Sequence, residues 1–119
     1  MSALTKLCIE NLGFPSVLAG KPVALLGVAA GRIGAVKSLE QLRGTCGHIG
    51  ALVVPGVISI ANVRQAFDAG GHCTDAGTEG ALRGLAASLL SFMRDYVCPK
   101  YIMEASVREG GGEPWSAVL

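Results

Sequence analysis

A chain of 119 residues, half of them hydrophobic, has material for one compact domain and excludes a second full one. Its ten basic and nine acidic residues are scattered and leave a formal charge of +1, which argues against nucleic-acid binding, because neutralising phosphates takes grouped Lys and Arg. No apolar run approaches the roughly 20 residues that span a bilayer, and the amino terminus lacks the basic flank and long apolar core of a signal peptide, so no membrane partner and a cytoplasmic setting are expected.

Ser2 is placed to cap a short helix carrying Leu4, Leu7, Cys8 and Leu12 on one face, ended by Gly13, Phe14 and Pro15. Val23, Ala24, Leu25, Leu26 and Val28 then form an apolar run without polar alternation, the pattern of a central parallel strand covered by helices on both faces. Residues 29–34 follow with small side chains and flexible backbone, where main-chain N–H groups can approach a ligand. Ile33, Val36, Leu39, Leu42, Cys46 and Ile49 recur at spacings of three and four, which predicts a helix with that face toward the sheet. Gly50 is a good stop for it. The second apolar run, 51–60, contains Pro55, which cannot donate to a ladder, so the strand should end near Val54 or bend at Pro55 on a sheet edge. Two strands joined by such a helix make a βαβ unit, and the fold class is α/β.

Residues 61–75 read as a turn-rich connection, with Asp75 the cap of a last helix. Leu82, Leu85, Leu89, Phe92, Met93 and Tyr96 line one face of that helix, which should cover the second strand and stop before Pro99. The glycine triplet and Pro114 predict a tail, dividing the chain into a domain over 1–96 and an appendage over 97–119. Cys8, Cys46, Cys73 and Cys98 are widely spaced without a CxxC pair, so neither zinc nor a disulfide framework is expected. Cys8 and Cys46 fall on apolar helix faces and read as small buried hydrophobes. His48 reads as a helix-end residue and His72 as an exposed turn residue, and no Ser-His-acid arrangement is recognisable.

Ala29, Gly31 and Gly34 occupy the glycine positions of GxGxxG, the first glycine being replaced by alanine. A dinucleotide fingerprint also needs an acid about 20 positions on, yet no Asp or Glu lies between Glu40 and Asp68. Two readings of the turn remain: a tight strand-to-helix connection with Arg32 solvated, or a loop for a ligand other than a dinucleotide.

Three stretches, LTKLCIENLGFPSVLAGKPVALLGVAAGRIGAVKSLEQLR, GALVVPGVISIANVRQAFDAGG and CTDAGTEGALRGLAASLLSFM, together resemble in order the carboxy-terminal half of the NAD(P)H-dependent FMN reductase family. These are flavodoxin-like proteins that include quinone and azo-dye reductases, and the similarity covers residues 3 to about 95. The resemblance implies a partial flavodoxin-like, doubly wound parallel sheet with flanking helices and without the family's amino-terminal strands. It implies FMN as cofactor, NAD(P)H as electron donor, and a quinone, dye or free flavin as acceptor. The family's flavin-side loop commonly reads Gly-Arg-x-Gly-Gly. Its matches here are Gly31, Arg32 and Gly34, with Ala35 in place of the last glycine and Ala29 and Ala30 completing the loop. The family's phosphate loop and its other flavin loop have no counterpart among these residues. The strand at Val23 would then have an unpaired edge, which implies a homodimer or higher homo-oligomer, or a complementing amino-terminal chain. The function implied is a flavin-dependent oxidoreductase in an incomplete version; the alternative is a non-catalytic remnant that serves association.

Overall fold

The computed structural model describes residues 1–110. Helix α1, Ala3–Glu10, begins where Ser2 accepts the Thr5 N–H at 3.2 Å, and the chain leaves it through Gly13 at φ +81°. Its apolar side is open, with Leu4 72% and Leu7 55% exposed. Cys8 is exposed there too, so the expectation that it is buried is corrected: nothing among the described residues covers that face.

The first apolar run forms two short strands, β1 at Pro22–Val23 and β2 at Leu26–Val28. Helix α2, Val36–His48, follows and leads to β3 at Leu52–Val53 and β4 at Ile58–Ile60. β1 pairs with β3 and β2 with β4, both parallel, so strand, helix and strand form the expected βαβ unit. Between the two ladders the first strand passes through Ala24 and Leu25 only. Its partner takes the longer path through Val54, Pro55, Gly56 and Val57, with Gly56 at φ +90°. Pro55 therefore makes a bend between paired segments.

The core lies between this ladder and α2: Leu25, Ala35, Leu39, Cys46 and Ala51 are buried together, with Leu42, Val23 and Val53 packed against them. Burial pushes the Cys46 thiol up from its ordinary pKa. Ile33, read as part of the helix face, stands 85% exposed because α2 begins only at Val36.

Hydrogen bonding fixes which way the first strand faces. The carbonyls of Lys21, Val23 and Leu25 accept from Leu52, Val54 and Ile58, and the Ala29 N–H donates to Ile60. In a parallel ladder alternate residues serve opposite sides, so the backbone groups of Ala24, Leu26 and Val28 face away from the partner strand. Among the described residues no strand pairs on that side. Leu26 and Val28 are 45% and 55% exposed, which corrects the expectation of a strand covered on both faces.

After β4 come a short helix α3, Val63–Ala66, and a hairpin closed by the Phe67–Cys73 bridge. Helix α4, Ala76–Phe92, then starts at Asp75, which accepts the Thr78 N–H at 2.7 Å and is held below the usual carboxylate range by those Thr78 hydrogen bonds. Leu82, Leu85, Leu89 and Phe92 are half-buried, and α4 lies against β4 and β1. The helix does not stop before Pro99. A π-helical turn, Met93–Val97, leads into α5, Cys98–Glu109, with the Cys98 N–H reaching back to the Met93 carbonyl. Pro99 has no N–H to give and its ring would crowd the carbonyl four residues earlier; a widened turn there lets the helix continue. Met93 and Tyr96, expected on the same face, are 38% and 68% exposed, and the Tyr96 ring lies against that of Phe92 with centroids 5.3 Å apart. Residues 97–109, read as tail, are thus helical, while 111–119 lie outside the described residues.

Candidate flavin-side loop

β2 and β4 run parallel and end side by side, and the loop joining β2 to α2 sits at those carboxyl ends, where open α/β sheets place ligands. Residues 29–35 are tied to the second strand at both ends. Ala29 donates to the Ile60 carbonyl at 2.9 Å and accepts from the Val63 N–H at 3.0 Å. At the other end the Ala35 N–H donates to Ser59 Oγ at 2.8 Å. In the middle the Gly31 carbonyl accepts from Gly34 at 3.3 Å and from Asn62 at 3.2 Å.

Two residues make this path possible. Gly34 has φ +73°, and a Cβ on it would lie 2.5 Å from Ser59 Oγ. Asn62 sits in the left-handed region at φ 47°, ψ 42°, which its side chain tolerates better than most.

Between these anchors Ala30, Gly31, Arg32 and Ile33 are exposed, and among the described residues nothing accepts a hydrogen bond from their N–H groups. The space beside Gly31 is open, with no atom within 4 Å of a built Cβ. Arg32 has no ion-pair partner among the described residues, and α2 carries no acid in its first turn. The four free amides, the Arg32 guanidinium and the amino end of α2 offer donors and positive potential to acceptor atoms on a planar ring, while the carbonyls of Ala30, Arg32 and Ile33 are left, among the described residues, as free acceptors beside them. The five residues expected to bind cofactor all fall within residues 29–34: Ala29 and Gly34 are the half-buried anchors, and Ala30, Gly31 and Arg32 lie on the exposed apex with Ile33.

The loop is a wall and not a pocket. A nearby hollow of about 240 Å³, lined by Val36, Leu39, Glu40, Arg43, Val57 and Ser59, includes none of residues 29–34 and borders the loop at Val36 and Ser59. Away from the loop, His72 Nδ1 and Asp68 Oδ2 lie 3.3 Å apart in the hairpin after α3. The Asp68 carboxyl is held below its ordinary range, first by the His72 backbone N–H. No nucleophile completes this pair, since Cys73 Sγ is engaged with the Asp75 carbonyl at 3.3 Å. Among the described residues no cluster of His, Cys, Asp and Glu is arranged to hold a metal.

Sequence reasoning found the loop but missed Ser59 and Asn62, which hold it. Their signals are faint: one serine in an apolar strand, and one asparagine where that strand ends.

Parallel strands, a glycine turn opening onto a helix, and a rim of free amides define the class: an α/β protein of the kind that holds a nucleotide or flavin at its strand ends. The profile of the NADPH-dependent FMN reductases matches residues 1–65, more than half of the chain, and the chain belongs to that family. The family's cofactor is FMN and its electron donor NAD(P)H. The matched region runs from α1 through the loop and β4 into α3. No curated protein and no solved structure matches the chain. Among the described residues no helix is long and apolar enough to cross a membrane.

Proposed function

We propose that residues 29–34 are the ring-side wall of an FMN site, and that the chain serves an NAD(P)H-dependent oxidoreductase acting on a quinone, a dye or free flavin. The observation that carries this reading is the pinned loop whose amides at Ala30, Gly31, Arg32 and Ile33 have no acceptor among the described residues. When bound, FMN supplies the redox chemistry, taking a hydride from NAD(P)H and passing electrons on. The chain's part is to bind and orient. The loop amides and the Arg32 guanidinium would donate to the ring's acceptor atoms, and the open space at Gly31 would allow close approach. Residues 1–96 would be the domain, 97–119 an appendage, and the setting cytoplasmic. Titrating FMN with the purified chain is expected to quench flavin fluorescence saturably and at one-to-one stoichiometry. No quenching with protein in large excess would overturn the reading for this chain alone.

A second reading is favoured by the free edge at Ala24, Leu26 and Val28, where Leu26 and Val28 are exposed. We propose that a second copy associates through it, since an uncovered apolar strand edge is a template for pairing. Light scattering should give a dimer or larger mass that Leu26→Lys shifts toward monomer. A monomer over the whole concentration range would remove self-association and leave a strand from a complementing chain as the occupant to test.

A further inference from the structure

Ala35 stands at the N-cap of α2 yet offers no side-chain cap of its own. The reason lies in packing. Ala35 is 8% exposed, and its Cβ is so near the backbone of Gly27 that a Cβ on Gly27 would come within 2.6 Å of it. A larger side chain at position 35 would crowd Gly27 in any rotamer directed at the strand, and the methyl group is what that seam holds. The cap comes instead from the neighbouring strand, as the Ala35 N–H donates to Ser59 Oγ at 2.8 Å.

The same oxygen fills the space above Gly34, where a Cβ would lie 2.5 Å from it. Ser59 therefore fixes two successive residues at the base of the loop. Asn62 steadies the apex through its N–H to the Gly31 carbonyl at 3.2 Å. The direction in which the free amides of residues 30–33 point follows from these two holds.

We propose that Ser59 is a positioning residue for the flavin-side loop, acting through Ala35 and Gly34 without touching the ring. The proposal rests on assigning residues 29–34 to the flavin. Its test compares Ser59→Ala with Ser59→Thr, which keeps the hydroxyl, in the whole chain. Hydrogen exchange at the Ala35 amide is expected to quicken about fivefold in Ser59→Ala and to stay near wild type in Ser59→Thr. The affinity for FMN should weaken about tenfold in Ser59→Ala, with a shift of the bound flavin's absorption band, and return with threonine. A role in fold stability alone would lower the thermal midpoint and leave the band of bound flavin unmoved. Unchanged exchange at Ala35 would overturn the hold on the loop, and faster exchange with unaltered FMN affinity and spectrum would overturn its bearing on the flavin. If the wild-type chain itself fails to quench FMN, the flavin assignment falls, and exchange at Ala35 separately upholds or overturns the hold.

Discussion

Gly27→Ala is expected to lower stability by about 2 kcal/mol, and Gly27→Val by more, because the added atoms enter a seam that is already closed. A Cβ on Gly27 would lie 2.6 Å from Ala35 Cβ, 2.9 Å from Leu39 Cγ and 3.1 Å from Leu39 Cδ1. Carbon atoms prefer roughly 3.5–4.0 Å, so the clash cannot be absorbed as ordinary contact. Nor can the neighbours swing aside. Ala35 has no rotamer to change, and Leu39 is 5% exposed within the cluster formed with Leu25, Cys46 and Ala51. Helix α2 must lift from β2, which opens the main core. Alanine also reduces the entropy of the unfolded chain, by about 0.4–1 kcal/mol in favourable cases, and this offsets only part of the loss. Gly44→Ala is the contrast. Gly44 lies within α2 with nothing within 4 Å of a built Cβ, and alanine there should stabilise by about 0.5–1 kcal/mol. Urea denaturation measures both. Equal midpoints for Gly27→Ala and the wild type would show that α2 is not seated on β2 as described.

The parts of this fold that could be read from the chain are those where one residue decides the local outcome. Ser2 and Asp75 announce helix starts because a short oxygen-bearing side chain satisfies amides that have no partner within the helix, and both do so here. Leu39 and Cys46 were found by period, and they are buried. Period misled where it ran past the element: Ile33 shares the phase of α2 but precedes its first turn, so that phase says nothing about its side chain. Pro99 was read as a stop because a proline inside a regular helix removes one bond and crowds another, while a π-turn is a remedy that composition does not announce. The exposure of Leu26 and Val28 depends on what covers the sheet, and their apolar character is the same in either case. At the candidate site, the glycines were legible as backbone freedom. Ser59 was not, because it acts 24 residues away from the amide it holds.

Gly34→Ala should uncouple the loop from the second strand while leaving the core intact. At φ +73° a side chain strains the backbone by about 1–2 kcal/mol, and the new Cβ would also meet Ser59 Oγ at 2.5 Å. Ser59 must then leave the Ala35 N–H, so the substitution removes the tertiary cap as well as imposing strain. Gly34 is half-buried at the end of the ladder and contributes no side chain to the cluster around Leu39, so circular dichroism should report a near-native fold. The affinity for FMN should fall by at least about tenfold, since a misplacement of about 1 Å in positioning groups has effects of this order or larger. Gly31→Ala separates the two ways a loop glycine can matter. Its φ is one that alanine accepts and its surroundings are open, so the free chain should be indifferent to the change. If FMN binding nevertheless weakens in Gly31→Ala, the methyl group has met the ring, and the apex of the loop is where the ring lies. If Gly31→Ala binds normally and Gly34→Ala does not, the loop acts through its shape and its amides with no close approach at Gly31. Undiminished FMN binding in both variants would mean that the ring rests elsewhere, and that this turn only connects a strand to a helix.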